Sequence, residues 1–330
     1  MQIWQPEKDD QIAFKSDEFQ KIVKYMQNGG IVAVPTETVY GLAADATNAQ
    51  AVASIFQAKG RPAFNPLISH VDSIESALKH GIFNASASAL ANAFWPGPLT
   101  LVVPRHAESS IAGLTCAGLS SVALRVPRSR MMRQLSRVLG VPLAAPSANR
   151  SGKISPTNAK HVLVELGDKI SLIIDDGYCS LGLESTVVAC TEDIAVLLRP
   201  GGITKNQIEH VLEYQIGSAG DDNNKPQSPG MLTSHYAPEC PVRLNITEVC
   251  PGEALLAFGL PLPAGHQQAF AVEQLSQTRQ LNEAAQNLFT SLRRLGDINP
   301  AGIAVMPIPQ EGLGLAIQDR LTRAAAPRTG

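Results

Sequence analysis

Short apolar runs alternate with amphipathic stretches along most of the chain. Residues 16–28 (SDEFQKIVKYMQN) repeat apolar positions at helical spacing and stop at Gly29-Gly30, which predicts a helix. The β-branched run up to Pro35 (GIVAVP, 30–35) predicts a strand. AQAVASIFQAK (49–59) reads as a helix that ends on Lys59, Leu67–Val71 as a strand, and 72–80 and 85–94 as helices. After the PGP loop (96–98), LTLVVP (99–104) and SVALRVP (121–127) predict strands, each closed by a proline. RMMRQLSRVLG (130–140) reads as a helix with its arginines on the polar side. VPLAAPSAN, LIIDD, TVVAC and AVLLRP continue as four short strands, the last two forming an antiparallel pair across Thr191–Ile194. The pattern predicts an α/β (α+β) domain built on a twisted, open, mixed sheet through about residue 215.

Residues 217–230 (GSAGDDNNKPQSPG) lose all periodicity and read as a linker. Beyond them come VRLNI, ALLAFG, a helix near 279–296, GIAVMPI and a helix near 312–326. That β-α-β-α order predicts a second, smaller α/β domain with a parallel sheet. The expected division is 1–216, a connecting segment or lid over 217–236, and 237–330. A length of 330 residues agrees with two domains, since single cores stop growing at roughly 250–300 residues.

Composition narrows the function classes. A hydrophobic share of 44% and a charged share of 17% describe an ordinary globular chain, and the net charge of −2 makes no general trap for nucleic acid. The charge is uneven, with nine basic residues against one acid between Arg105 and Lys160. That segment is where a nucleotide or RNA would be drawn. The five cysteines have neither C-x-x-C nor metal-site spacing and read as reduced thiols. No apolar run approaches the roughly 20 residues that span a bilayer, and MQIWQPEKDD lacks a targeting layout, so a cytoplasmic protein is expected.

The candidate chemistry sits where strands end. PTETVYGLAAD (35–45), KGRPAFNP (59–66), APSANRSGKISPT (145–157) and GLESTVV (182–188) are polar segments. Each serine or threonine alone reads as a turn or cap hydrogen-bonder; four such segments together read as one cleft. KGRPAFNPLISH holds Lys59 and Arg61 two residues apart on a proline-stiffened loop, an arrangement suited to an anion. Arg125 shares its parity with Ala123 in an otherwise apolar strand. It is either a solvated strand arginine or a guanidinium fork for a carboxylate or phosphate, and Arg199 invites the same two readings. His70 by itself reads as a structural histidine. Neither a G-x-x-x-x-G-K-[ST] loop nor a G-x-G-x-x-G fingerprint occurs after the first strand. No histidine spacing predicts a protein-built metal site, and no covalent nucleophile is legible.

Taken in order, PTETVYGL, KGRP followed by NPL and His70, PGPLTLV, VALRVP, APSANRSGKISPT, GLESTVV and LLRPGG resemble the YrdC-like family. The later PGMLTSHYAP and small α/β domain are similar to its longer, two-domain threonylcarbamoyl-AMP synthases. The resemblance implies a YrdC-like fold with a concave basic cleft and a small Rossmann-like C-terminal domain. It implies synthesis of L-threonylcarbamoyladenylate from L-threonine, bicarbonate or CO2 and ATP, normally with Mg2+, releasing pyrophosphate. A separate transferase complex then passes the threonylcarbamoyl group to the adenosine at tRNA position 37, forming t6A. By resemblance, Lys59, Arg61, Ser147 and Asn149 form the signature catalytic quartet. Arg61, Asn65, Ser121, Ser147, Ser155, Arg199 and Tyr236 fall on ATP-contacting positions, and Thr38, His70, Arg125, Ala145 and Ser185 on threonine-holding ones. Two departures are small: YGLAAD has alanine where glycine is usual, and Ser121 stands where threonine is common. Competing readings are an RNA-binding module without catalysis, for which direct tRNA contact would suit the basic segment, and a carbamoyl transferase using carbamoyl phosphate.

Overall fold

The strand Val32-Ala33-Val34 shows how the larger lobe is layered. Val32 and Val34 pack with Phe19, Ile22 and Met26 and with Met131, Met132 and Leu135, whereas Ala33 faces Leu42, Val52 and Ile55 on the other side. A sheet buried on both faces needs apolar residues at every position, which is why such strands lack a polar side. The computed structural model describes residues 1–218 and 235–327.

Eleven strands build the larger sheet among the described residues. They are β1 (Gln2–Trp4), β2 (Val32–Val34), β3 (Gly41–Asp45), β4 (Ile68–His70), β5 (Leu99–Pro104), β6 (Ser121–Arg125), β7 (Leu143–Ala144), β8 (Leu172–Ile174), β9 (Thr186–Ala189), β10 (Val196–Arg199) and β11 (Gly217–Ser218). Their order is β1-β8-β2-β3-β7-β4-β6-β5-β9-β10-β11, with parallel and antiparallel neighbours mixed. The expected antiparallel pair β9/β10 is present. Helices Ala49–Lys59 and Ala85–Phe94 cover one face; Asp17–Gln27 and Arg130–Leu139 cover the other at the β8-β2-β3-β7 end. Side chains of Ser16, Asn48 and Ser129 cap three of these helices.

Two expectations change. VPLAAPSAN forms a strand only at Leu143–Ala144, with one further bridge from Ser147 to Gly41, because Pro142 and Pro146 have no N–H to donate. GLAAD, grouped above with the polar loops, is strand β3, hydrogen-bonded to β2 as an antiparallel partner. Helices Ala159–Leu166 and Lys205–Leu212 and strand β1 had not been expected.

The smaller lobe has an all-parallel sheet of β12 (Val242–Arg243), β13 (Glu253–Ala257), β14 (Val272–Gln274) and β15 (Gly302–Val305), in the order β12-β15-β13-β14. Helices Leu281–Asp297 and Leu313–Ala325 pack on it. β14 is the element added to the expected β-α-β-α order. Residues 219–234 of the expected lid lie outside the described residues. The lobes share a core: Val39, Ile154 and Leu183 of the larger one join the apolar cluster of the smaller. Arg293 bonds Glu165 at 2.8 Å, and the Tyr236 ring stacks on Phe289 at 5.3 Å between centroids.

Candidate active site

The face that two helices cover at one end of the larger sheet carries, at the other, the small buried apolar cluster of Ile68, Val102, Ala123, Val187, Ala189 and Leu198. There the alternate residues Ile68 and His70 of β4 and Ala123 and Arg125 of β6 point to the same side, and His70 stands directly opposite Arg125 in the parallel register. The parity read for Arg125 is therefore the observed one. A cleft with about 570 Å³ of empty space opens over these residues. Thr38, Arg61, His70, Arg125, Ala145, Ser147, Ser185, Arg199 and Tyr236, all expected site residues, line it.

Arg125 is buried, yet not left to itself. Its Nε donates to the Gly97 carbonyl at 3.1 Å, Nη1 to Thr38 Oγ1 at 3.1 Å, and Nη2 to Glu37 Oε1 at 2.7 Å. Burial would raise the Glu37 carboxyl, but the Arg125 charge and hydrogen bonds hold it below its usual value. Of the five guanidinium N–H groups, these three bonds leave one on each terminal nitrogen, the pair that can grip a carboxylate bidentately. Beside it, burial and then the Arg125 charge push His70 down to about 3, so its imidazole is neutral. His70 Nδ1 is buried without a hydrogen-bond partner among the described residues. Ser185 Oγ lies 2.8 Å from Thr100 Oγ1. This end thus combines a cation with neutral hydrogen-bonding groups.

The other end is cationic. Gly60, left-handed at φ 59, ends the helix that delivers Lys59 and turns the chain toward Arg61. Arg61 is oriented by the carbonyls of Asn65 (3.3 Å) and Pro66 (3.0 Å), and Arg199 by the Ser185 carbonyl (2.9 Å from Nη2) and hydroxyl (3.1 Å). Burial and then the charge of Arg199 lower Arg61 to about 10. Two guanidiniums held close enough to disfavour each other's charge form a receptor for an anion. Neither belongs to the basic segment. Of its nine cations only Arg125 lines the cleft, while Arg130, Arg137, Arg150 and Lys153 pair with Asp10, Asp72, Asp168 and Glu239.

Five expected residues lie off the cleft lining. Lys59 donates its ammonium to the carbonyls of Ser147 and Asn149, so it fastens the loop that presents Ser147. Burial and then the Arg61 charge lower its pKa well below the usual lysine value. Asn149 spans the same loop through the Arg150 (2.7 Å) and Lys153 (2.8 Å) carbonyls. Asn65 is buried with Oδ1 unpartnered among the described residues, as is Asn149 Oδ1. Ser155 donates its hydroxyl to Glu184 Oε1. Ser121 opens β6, four residues and about 13 Å along the strand from Arg125.

Four contributors were missed. Glu37, Glu184 and His235 lie inside motifs already singled out (PTETVYGL, GLESTVV and SHYAP), so their signal was present without a role attached. Glu184 and His235 line the cleft. Burial pushes His235 down to about 3. Arg320, wholly buried on the last helix, donates Nε to Glu184 Oε2 at 2.9 Å; its place at helical spacing from Ala316, Ile317 and Ala324, on the apolar face, was the signal that could have found it.

Comparison with known proteins gives the family. A family model described as telomere recombination matches residues 24–201, and one described as threonylcarbamoyl-AMP synthase, C-terminal domain, matches 203–326. A threonylcarbamoyl-AMP synthase of Bacillus subtilis is 40% identical over 342 residues, covering 98% of both chains. One from Schizosaccharomyces pombe is 35% identical, covering 89% of this chain and 85% of its own. The crystal structure of Pyrococcus abyssi Sua5, solved with L-threonine, superposes with a TM-score of 0.88 at 34% identity over 98% of each chain. The chain belongs to the two-lobed threonylcarbamoyl-AMP synthase family.

Proposed function

We propose that the chain joins L-threonine, bicarbonate or CO2 and ATP into L-threonylcarbamoyladenylate and releases pyrophosphate, the first step of t6A formation on tRNA. The observation that carries this is the division of one cleft into two ends: Arg125 with Thr38, His70 and Ser185 at one, and the mutually repelling Arg61 and Arg199 at the other. The two free N–H groups of Arg125 would hold the threonine carboxylate. The neutral His70, Thr38 or Ser185 would recognise its hydroxyl, and Ala145 would close that end. An analogue lacking the hydroxyl leaves a buried polar partner unpaired, which disfavours it strongly.

Once the threonine amine and CO2 have formed a carbamate, its oxygen attacks the α-phosphorus and pyrophosphate leaves. Such a transfer needs positioning and charge neutralisation rather than a protein nucleophile. Arg61 and Arg199 offset the phosphate charge, with Ser147 beside them and Asn65, Ser121, Ser155 and Tyr236 completing the ATP assignment. Lys59 and Asn149 serve by fixing the loop that carries Ser147. Mg2+ would enter with the nucleotide, held by phosphate oxygens and water, since Glu37 and Glu184 are each engaged by an arginine. We place the catalytic lobe at 1–216 and the support lobe at 237–330. The product is labile, so a cytoplasmic transferase complex acting on tRNA would take it over, with or without tRNA contact here.

The test is pyrophosphate release by the purified chain. Release is expected only with ATP, threonine and bicarbonate together. Release without threonine, no release at all, or turnover when carbamoyl phosphate replaces ATP and bicarbonate would overturn the reading.

A further inference from the structure

The Arg320–Glu184 contact differs from the other ion pairs between the lobes. Arg293–Glu165 and Lys153–Glu239 do not reach the cleft that binds the reactants in the proposed reading. Glu184 lines that cleft, and its carboxylate is buried between two groups. Oε1 accepts the Ser155 hydroxyl, and Oε2 accepts Arg320 Nε at 2.9 Å. Arg320 is 0% exposed. Its Nη1 donates to the Pro200 carbonyl at 3.0 Å, next in sequence to Arg199, and to Asp319 at 2.6 Å. Its guanidinium carbon lies 5.6 Å from the centroid of Tyr236.

We infer that Arg320, from the smaller lobe, is a positioning residue for the nucleotide end of the cleft: it neutralises Glu184, so a triphosphate meets Arg61 and Arg199 rather than an unbalanced carboxylate. The charge count makes the case. Arg125 is already offset by Glu37, and Arg61 and Arg199 line the nucleotide end of the cleft beside Glu184. Without Arg320, Glu184 would set an uncompensated carboxylate against them and repel the phosphates directly. Burial raises the Glu184 carboxyl, but the charges of Arg320 and Arg199 bring it below its usual value, so it is ionised and needs this partner. The same bond keeps Oε1 turned to Ser155. The larger lobe therefore gains a component of its reaction site from the smaller one.

The inference rests on the assignment of ATP to this end, and the experiment separates the two. Steady-state pyrophosphate release is measured with ATP and threonine varied in turn. Arg61→Ala should raise the KM for ATP; if it does not, the ATP assignment falls and the inference with it. Arg320→Met should raise the KM for ATP by at least about tenfold while the threonine KM moves less than about twofold. Arg320→Lys, which keeps a charge but not the fork, should fall between. Adding Glu184→Gln to Arg320→Met should return the ATP KM to within about threefold of the Glu184→Gln single variant, because the uncompensated charge is gone. That comparison stands even if Arg320→Met alone does not fold. Equal effects on both KM values, or no recovery in the double variant, would leave Arg320 as a clamp between lobes and overturn the inference.

Discussion

Arg125 does two jobs with one side chain, and they can be separated. It holds Glu37 at 2.7 Å and Thr38 at 3.1 Å, so part of its value is structural. Arg125→Ala removes the fork for the threonine carboxylate and also strands a buried carboxylate. Losing one partner of such a pair costs roughly 2–5 kcal/mol. The threonine KM is expected to rise by about two orders of magnitude, with a smaller change for ATP, and the melting temperature should drop. Adding Glu37→Gln should restore much of the stability without restoring threonine affinity. Recovery of both together in kinetic and melting assays would show that Arg125 only supports the fold. Lys59 illustrates the opposite case. Its place in the signature quartet suggested contact with a phosphate, but its ammonium serves the carbonyls of Ser147 and Asn149. Residue type alone could not distinguish these roles, because a buried ammonium satisfies itself equally well on carbonyls or on phosphate oxygens.

At the scale of elements, the turn before Glu184 sets how the lobes meet. Gly182 has φ 76, and a Cβ there would lie 2.7 Å from Gln286 Cα and 2.9 Å from the Ala285 carbonyl of the long helix Leu281–Asp297. Gly177, at φ 86, has nothing within 4 Å of its would-be Cβ. Gly177→Ala should therefore cost only backbone strain, about 1 kcal/mol, whereas Gly182→Ala adds a clash with helix backbone that cannot yield and should cost at least about twice as much. Urea unfolding of the two variants measures the difference; equal losses would show that the lobes do not depend on this close approach. The elements themselves were unevenly legible. The helix Ala49–Lys59 carried its own boundaries in Asn48 and Gly60, and β9/β10 were marked by β-branched runs around a polar turn. GLAAD was obscured because its small residues resemble a loop, and its strand character comes from pairing with β2 and β7. The cleft was legible through its motifs. Arg320 went unread: in LGLAIQDRLTRAA it falls at helical spacing from Ala316, Ile317 and Ala324, on the apolar face, but its partner Glu184 lies 136 residues away in sequence.

At the scale of the whole molecule, the cleft stores a dependence on pH. Two histidines, His70 and His235, are buried in its wall at 3% and 7% exposure. Each is pushed down to about 3, by burial first. In the unfolded chain each would titrate near 6.5. Between these values the unfolded state binds the extra proton, so stability present above about pH 6.5 is lost progressively as the pH falls. At pH 5 the loss is on the order of 2 kcal/mol for each histidine. Glu37 and Glu184 have the same sign but a lower window. Their folded values lie below the usual one, so their contribution goes only as the pH drops below about 4.3. Urea unfolding at pH 7.5 and pH 5 should therefore show a fall of about 4 kcal/mol from these two histidines, to which His161, lowered to about 4, and His80, also lowered, add outside the cleft. His235→Gln should make that fall about 2 kcal/mol smaller while leaving the His70 share in place. A stability that stays level between the two pH values would mean that protonated His70 and His235 are accommodated in the folded cleft, and that its walls open to water far below the unfolding transition.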